Sequence, residues 1–314
     1  MRVASRAGRE ARRRGGRYTS RPVGQKGWRV AYPFVAPVLV LTVIFSILPL
    51  VLVFRRSLYV GNVFGTNLHF DGLFNYRQVF ANGGGHALLV TLIYTVGFVV
   101  VTMAVGLAIA LLLDVSLRGT GWTRALFIIP VVVPPVATAF IWYTFFQPNT
   151  GLFNRILTPL GLPQVTLSGP KIAMAAIISF GAWQFVGEVV ILYLGGLKTL
   201  PGELLEAATV DGAGALARFF RIRWPLLRRN TALISVVATL NGLQAFTQIY
   251  VLTQGGPNGW TQTVLYYIFQ EGFGLGAGGS TGQADAMAVI LFGISVLVAL
   301  AQLALVGRAV RQES

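Results

Sequence analysis

Six stretches of this 314-residue chain are each long and apolar enough to cross a bilayer, and that constrains the possible folds more than any other feature. They run approximately 30–54, 87–113, 122–146, 171–196, 231–253 and 284–307. A helix crosses the hydrocarbon core with about 20 residues. Backbone amides cannot stay unpaired in lipid, so runs of this length must be helices. The expected fold is therefore all-α, a polytopic membrane protein with six transmembrane helices. Composition agrees: 54% of residues are hydrophobic, 11% are charged and the mean hydropathy is +0.68, which excludes a soluble domain. The chain has no cysteine, so disulfide frameworks and thiolate metal sites are excluded as well.

Charge divides the chain into an arm, 1–29, and a membrane domain, 30–314. The arm holds nine arginines and Lys26 against the single acid Glu10, and no apolar periodicity. Such an arm can bind nucleic acid. Directly before an apolar stretch, it is instead expected to stay in the cytoplasm and to touch anionic membrane lipid, with no nucleic acid as partner. The apolar run that follows is too long for a cleaved signal peptide and lacks a small-residue exit. Six crossings put both termini on one side. The segments on that side carry twenty Lys and Arg, and those on the other carry five. The positive-inside rule makes the richer side cytoplasmic, including the loop 198–230. Arg55 and Arg56 run against this trend and are expected to snorkel to headgroups.

Polar residues at membrane depth mark a candidate route. Asn241, Gln244 and Gln248 fall at i, i+3 and i+7 in the fifth stretch, one helical stripe, with Thr247 beside it. Amides facing lipid cost several kcal/mol, so the stripe is expected to face the bundle interior. There it can bind hydroxyls of a sugar or polyol, or simply join helices. Glu188 lies within the fourth stretch, one turn from Gln184 on the same face. It can meet a cationic group, accept hydroxyl protons, or stay protonated against a neighbouring helix. Pro130, Pro134 and Pro135 should bend the third stretch. On the outer side, 82–85 and 272–282 are glycine-rich and expected to be flexible connectors, and 261–271 predicts a short amphipathic helix.

The loop from Leu200 to Pro225 carries helix-forming sequence of its own. Glu203, Leu204, Glu206, Ala207 and Ala208 favour a helix, Pro201 suits its first turn, and Asp211-Gly212 ends it with Gly212 free to take positive φ. A short helix, a turn and a second helix at the membrane surface are expected. Glu206-Ala207-Ala208, three residues, Gly212, nine residues, then Ile222 and Pro225 resembles the EAA loop of binding-protein-dependent ABC importer permeases. Asp211-Gly212-Ala213 and the downstream Leu252-Thr253-Gln254-Gly255-Gly256-Pro257 are similar to the sugar-type branch. Trp224 departs from the pattern, which usually has Leu before the proline, but it keeps an apolar side chain.

The resemblance implies the architecture of a type I importer permease in a bacterial cytoplasmic membrane. It implies a route for a sugar or a glycerol-phosphate-type solute, lined here by Gln184, Glu188, Asn241, Gln244 and Gln248. Glu206, Ala207, Ala208, Asp211, Gly212, Ala213 and Pro225 would seat a cytoplasmic ATPase. The implied partners are a second homologous permease, two ATPase subunits and an extracytoplasmic solute-binding protein. No G-x-x-x-x-G-K-[ST] motif, histidine cluster or catalytic triad occurs, so this chain is expected to be no enzyme and to hold no cofactor, with ATP and Mg bound by the ATPase partner. Two other classes stand beside this reading. An ion-coupled secondary transporter would need a coupling site and internal repeats, and a non-transporting scaffold would leave the polar stripe unexplained.

Overall fold

The computed structural model describes residues 26–61, 69–114, 120–274 and 280–311. The basic arm up to residue 25 and residues 275–279 of the 272–282 connector lie outside the described residues. The chain divides into two compact units, with the boundary between Leu52 and Val53. The first described element, α1 (Lys26–Thr42), passes through a π-turn at Val43–Ile47 into α2 (Leu48–Arg56). Tyr32–Arg56 of this run has the length and apolarity of a membrane span.

Within the second unit, a two-stranded antiparallel pair, β1 (Tyr59–Val60) and β2 (His69–Phe70), is followed by α3 (Phe74–Ala81). The buried Asn75 amide donates to the carbonyls of Ser57 (2.9 Å) and Tyr59 (2.8 Å), which anchors this segment. The 82–85 segment is no flexible connector. Only Asn82 and Gly83 form a turn, and Gly84 is buried against Val79 as the first residue of α4 (Gly84–Asp114). A Cβ at Gly84 would collide with the Val79 side chain and carbonyl, so close packing, not looseness, explains this glycine.

The core is the pairing of α4 with α8 (Pro170–Leu197), the most extensive helix contact among the described residues. Both helices are apolar over most of their surface, and the buried face of α4 collects its threonines, its tyrosine and its small residues. On α4, Ala87, Val90, Thr91, Tyr94, Thr95, Phe98, Thr102, Gly106 and Ala110 recur at three- and four-residue spacing and are buried. Leu89, Leu92, Ile93, Val96 and Val100 are exposed, as lipid-facing positions should be. Small residues bring the backbones together, with Gly97 against Ile178, Gly106 against Val189 and Gly181 against Tyr94 and Phe98.

The third stretch forms α5 (Thr120–Val132) and α6 (Pro135–Phe145), and its Leu126–Val132 and Pro135–Phe145 parts are bent from one another by 108°. Pro134 leaves the helical region and Pro135 begins α6, so the last two prolines make the break and Pro130 stays inside α5. The Thr138 hydroxyl donates to the carbonyl of Pro135 at 3.0 Å, part of the local repair that a bend in lipid requires. A short helix, α7 (Leu152–Leu157), follows before α8. The loop contributes α9 (Gly202–Val210) and α10 (Ala215–Arg218), and a π-turn at Phe219–Arg223 joins α10 without a break to α11 (Trp224–Leu243). After α11 come a π-helical segment, Ile249–Thr253, then α12 (Val264–Gly272) and α13 (Thr281–Arg311). The expected short amphipathic helix is α12.

Span count is where the structure departs from the expectation of six continuous crossings. Among the described residues four helices are long and apolar enough to cross, Tyr32–Arg56, Gly84–Asp114, Pro170–Leu197 and Thr281–Ala304, and the bent α5–α6 pair makes a fifth. The stretch 231–253 is not one helix. It breaks over 244–246, where Gln244 and Ala245 turn back onto Asn241 and Gly242 at 3.2 Å each. The buried Thr263 hydroxyl donates to the freed Ala245 carbonyl at 2.9 Å. The next amide, Val264 N–H at the start of α12, donates to the Thr91 hydroxyl at 2.8 Å, and that hydroxyl donates to the Ala87 carbonyl at 2.8 Å. One buried chain of bonds thus ties the break to α12 and α4. Thr263→Val should leave the Ala245 carbonyl unpaired and cost about 1–3 kcal/mol, while Thr263→Ser should be close to neutral. A lowered thermal midpoint of the purified protein for Val, but not Ser, is the expected result, and equal midpoints for all three would remove this bond from the fold's support.

Candidate functional site

One cavity of about 360 Å³ gathers the polar residues of the fourth and fifth stretches. Gln184 and Glu188 reach it from α8, Asn241 from the end of α11, and Gln244, Thr247 and Gln248 from the break and the turn after it. Tyr94, Val131, Pro135 and Phe185 complete the wall on the α4, α5, α6 and α8 sides. All five residues assigned to the route by sequence therefore line the same space. The reason differs from the one expected. Gln244 and Gln248 do not continue a helical stripe from Asn241, because the helix ends at Leu243. The break re-aims them, and the Ala245 carbonyl bond to Thr263 holds that break.

Local packing explains how the cavity stays open. A Cβ at Gly181 would occupy the position of the Tyr94 hydroxyl, and a Cβ at Gly187 would meet the Phe127 carbonyl of α5. Glycines at both places let Tyr94 and α5 approach α8 around Glu188 without filling the space. The Gln248 amide donates to the Tyr94 hydroxyl at 2.6 Å. Gln184, Glu188, Asn241 and Gln244 make no side-chain hydrogen bond to other described residues, and their polar atoms are left for the cavity. Among the described residues Glu188 is the one charged side chain lining it. Asn241 and Gln244 are exposed on this chain. At membrane depth such amides require water or another protein surface, since lipid would leave them unpaired.

The residues of the loop 198–230 form a second constellation. α9 ends with the Gly212 N–H on the Thr209 carbonyl (3.1 Å) and the Ala213 N–H on the Ala208 carbonyl (2.9 Å), the paired bonds of a Schellman cap. Gly212 sits at φ 75°, and a Cβ there would meet nothing within 4 Å. The backbone conformation, not crowding within the chain, calls for glycine. The Arg218 guanidinium donates to the Thr209 hydroxyl at 2.7 Å and fastens α10 to α9. Arg223 pairs with Asp114, at the end of α4, at 3.4 Å. Pro225 lies just after the Phe219–Arg223 π-turn, inside the helix that continues from α10, and contributes no amide there. Glu206, Ala207, Asp211 and Gly212 are exposed, and Ala208, Ala213 and Pro225 are half-buried. Leu204, Val210, Leu216 and Phe220 are exposed among them, and Val210 keeps 87% of its surface. An apolar group of this kind beside charges has the character of a protein-binding surface.

Sequence reasoning missed two residues that organise the cavity, Thr263 and Tyr94, and one ion pair away from it. Thr263 and Tyr94 carry no charge and no motif. Asp285, at the start of α13, pairs with Arg56 at 3.2 Å, so Arg56 has a carboxylate partner within the chain. Arg55 stacks over the Tyr59 ring at 5.6 Å. The Asp285 carboxylate was legible in principle, since an acid beside an apolar run calls for a partner.

Residues 102–312 match the family described as binding-protein-dependent transport system inner membrane component. The chain belongs to that family. It is 32% identical to the sn-glycerol-3-phosphate transport system permease protein of Agrobacterium fabrum, over 84% of this chain and 91% of that one. It is 35% identical to the trehalose/maltose transport system permease protein of Thermococcus litoralis, over 77% and 82%. Its fold matches a chain in the crystal structure of a bacterial ABC transporter that imports the acidic polysaccharide alginate, with TM-score 0.78 at 21% identity, covering 90% of this chain and 96% of that chain. A bacterial alginate ABC transporter in complex with alginate pentasaccharide-bound periplasmic protein matches with TM-score 0.72 at 22% identity, covering 91% and 96%. The chain is a multi-pass permease subunit of an ABC importer, which sets aside the secondary-transporter and scaffold readings.

Proposed function

We propose that the Glu188 cavity is this chain's share of the translocation route, and that its solute is a neutral, hydroxyl-rich molecule such as a sugar. The observation that carries the reading is the convergence of Gln184, Glu188, Asn241, Gln244 and Gln248 on one cavity with no arginine or lysine among the described residues of its lining. Amides and a carboxylate accept and donate to hydroxyls, whereas a lone carboxylate repels a phosphate. A glycerol-phosphate solute is the second reading, favoured by the solute for which the Agrobacterium relative is named. Testing the partner solute-binding protein for affinity toward trehalose, maltose and sn-glycerol 3-phosphate separates the two.

The exposed amides Asn241 and Gln244 support a second, homologous permease closing the route from the other side. The exposed loop surface supports a cytoplasmic ATPase, two copies serving the two permeases, with ATP and Mg held there. An extracytoplasmic binding protein delivers the solute, a role supported by the pentasaccharide-bound periplasmic protein found in complex with the alginate importer. Both termini then lie in the cytoplasm of a bacterial inner membrane, consistent with the basic residues on that side. The loop's second helix runs unbroken from Ala215 to Leu243. At 1.5 Å per residue, that is a lever of about 40 Å from the ATPase surface to Asn241. Motion at the loop thereby reaches the cavity wall directly.

Two experiments on the assembled importer test this. Glu188→Gln should retain ATP-driven uptake, and Glu188→Leu should lower it by about tenfold or more, because a carboxylate that accepts from hydroxyls can be replaced by an amide but not by an alkyl group. Full uptake by the Leu variant at normal expression would remove Glu188 from the route. Gly212→Val should strain the left-handed cap by about 1–2 kcal/mol and place a branched side chain on the docking surface. Uncoupling is the expected outcome, with ATP hydrolysis no longer stimulated by loaded binding protein while membrane insertion is retained. Unchanged stimulated hydrolysis and uptake would show that Gly212 does not face the ATPase.

A further inference from the structure

A second pocket, of about 490 Å³, is separate from the Glu188 cavity and is lined in part by the Leu252–Pro257 segment. It lies between the segment after α6 and the turn after the Ile249–Thr253 helix. Phe140 and Tyr143 present exposed rings at one wall, and Gln147, Thr166, Ser168 and Gln254 line the rest with amides and hydroxyls. None of the side-chain polar atoms of Tyr143, Gln147, Thr166, Ser168 or Gln254 bonds to another described residue. Among the described residues no charged side chain lines the pocket. Its volume is in the range of small-molecule sites, about 300–1,000 Å³.

Two features make this more than an incidental groove. Gln254 is held at φ 49°, in the left-handed region, which costs a non-glycine residue about 1–2 kcal/mol. Backbone strain of that kind gathers at sites whose geometry matters. The pocket also shares both of its walls with the Glu188 cavity. α6 contributes Pro135 to the cavity and Tyr143 to the pocket, eight residues or about 12 Å further along the helix. The turn after the break contributes Gln248 to the cavity and Gln254 to the pocket. The two spaces are consecutive along the same pair of segments, with this one nearer the 146–168 loop.

We infer that this pocket is an outer subsite that receives a neutral polyhydroxylated solute before it reaches the Glu188 cavity. The inference rests on the reading of that cavity as the route. Amides and hydroxyls with unused hydrogen-bonding capacity match sugar hydroxyls, and the aromatic rings match the apolar faces of a pyranose. A lining without a cationic side chain disfavours a phosphate ester.

Because the chain has no cysteine, Ser168→Cys introduces a thiol at the pocket that is unique in this chain. In the assembled importer, without ATP and without solute-binding protein, a membrane-impermeant maleimide should label it. Saturating trehalose or maltose should slow the labelling by about tenfold, as occupancy excludes the reagent. Added Gln254→Ala or Gln147→Ala should abolish the protection, and sn-glycerol 3-phosphate should give none. Unchanged labelling with both disaccharides overturns the subsite. Protection by sn-glycerol 3-phosphate equal to that by the disaccharides overturns the neutral class. Protection by solute-binding protein but by neither sugar overturns the inference in favour of a protein-docking surface. Thr166→Cys gives the same readout if Ser168→Cys fails to assemble. Uptake by Glu188→Leu is read separately. Full uptake there, together with sugar protection at Ser168, would sink the deeper route and leave the outer subsite standing.

Discussion

A backbone carbonyl that leaves its helix inside a bilayer must find a partner within the protein, and the carbonyl of Ala245 finds the hydroxyl of Thr263. The break at 244–246 depends on that bond. If the helix continued, Gln244 and Gln248 would follow the regular helical path from Asn241. With the break, they turn with Asn241 toward Gln184 and Glu188. The same threonine leads into α12, whose first amide is held by Thr91 on α4. The feature that shapes the cavity is thus fastened to the central helix of the core and to the outer helix by three buried hydrogen bonds.

Close helix packing supplies the other half of the arrangement. Between lipid-facing helices there is little hydrophobic force to draw on, and small residues let dispersion and backbone contact take its place. Gly97, Gly106 and Gly181 seat α4 on α8, and Gly187 seats α5 against the same helix. These contacts fix α8 from two sides and leave the face carrying Gln184 and Glu188 without a filling side chain. The Pro134 break turns α6 away from α5, so that α6 walls both the cavity and the outer pocket. Within the loop 198–230, the Schellman cap at Gly212 and the Arg218–Thr209 bond shape a segment whose second helix continues into α11. Under the proposed function, this continuous helix is the path by which a surface event reaches the cavity.

Much of this was legible from residue patterns, and the exceptions have physical causes. The all-α membrane fold followed from apolar run lengths, and the loop's helix, cap and turn followed from Glu206-Ala207-Ala208 and Asp211-Gly212. Membership of Gln184, Glu188, Asn241, Gln244 and Gln248 in one cavity followed from the cost of burying polar groups in lipid, though the stripe geometry did not. The helix break was not read because its local sign, the Asn241-Gly242 dipeptide, sits inside a long apolar run that reads as one span. No proline lies between Leu227 and Gln254, and the bond that stabilises it comes from Thr263, eighteen residues on in sequence from Ala245. The glycines at 83–85 suggested looseness, whereas Gly84 serves tight packing, a distinction only tertiary contact makes. Arg56 was read by its own charge, when its conformation is set by Asp285, more than two hundred residues away.

The central claim is that solute passes between the Glu188 face of α8 and the amides around the Ala245 break. An electron cryomicroscopy structure of the assembled importer, trapped with solute between its outward and inward states, tests it most directly. The account predicts solute density with oxygens within about 3.5 Å of the Glu188 carboxylate and of at least one amide among Gln184, Asn241 and Gln244. Solute held wholly by the second permease, with these side chains turned to other protein groups and the Ala245–Thr263 bond replaced by a continuous helix, would contradict it.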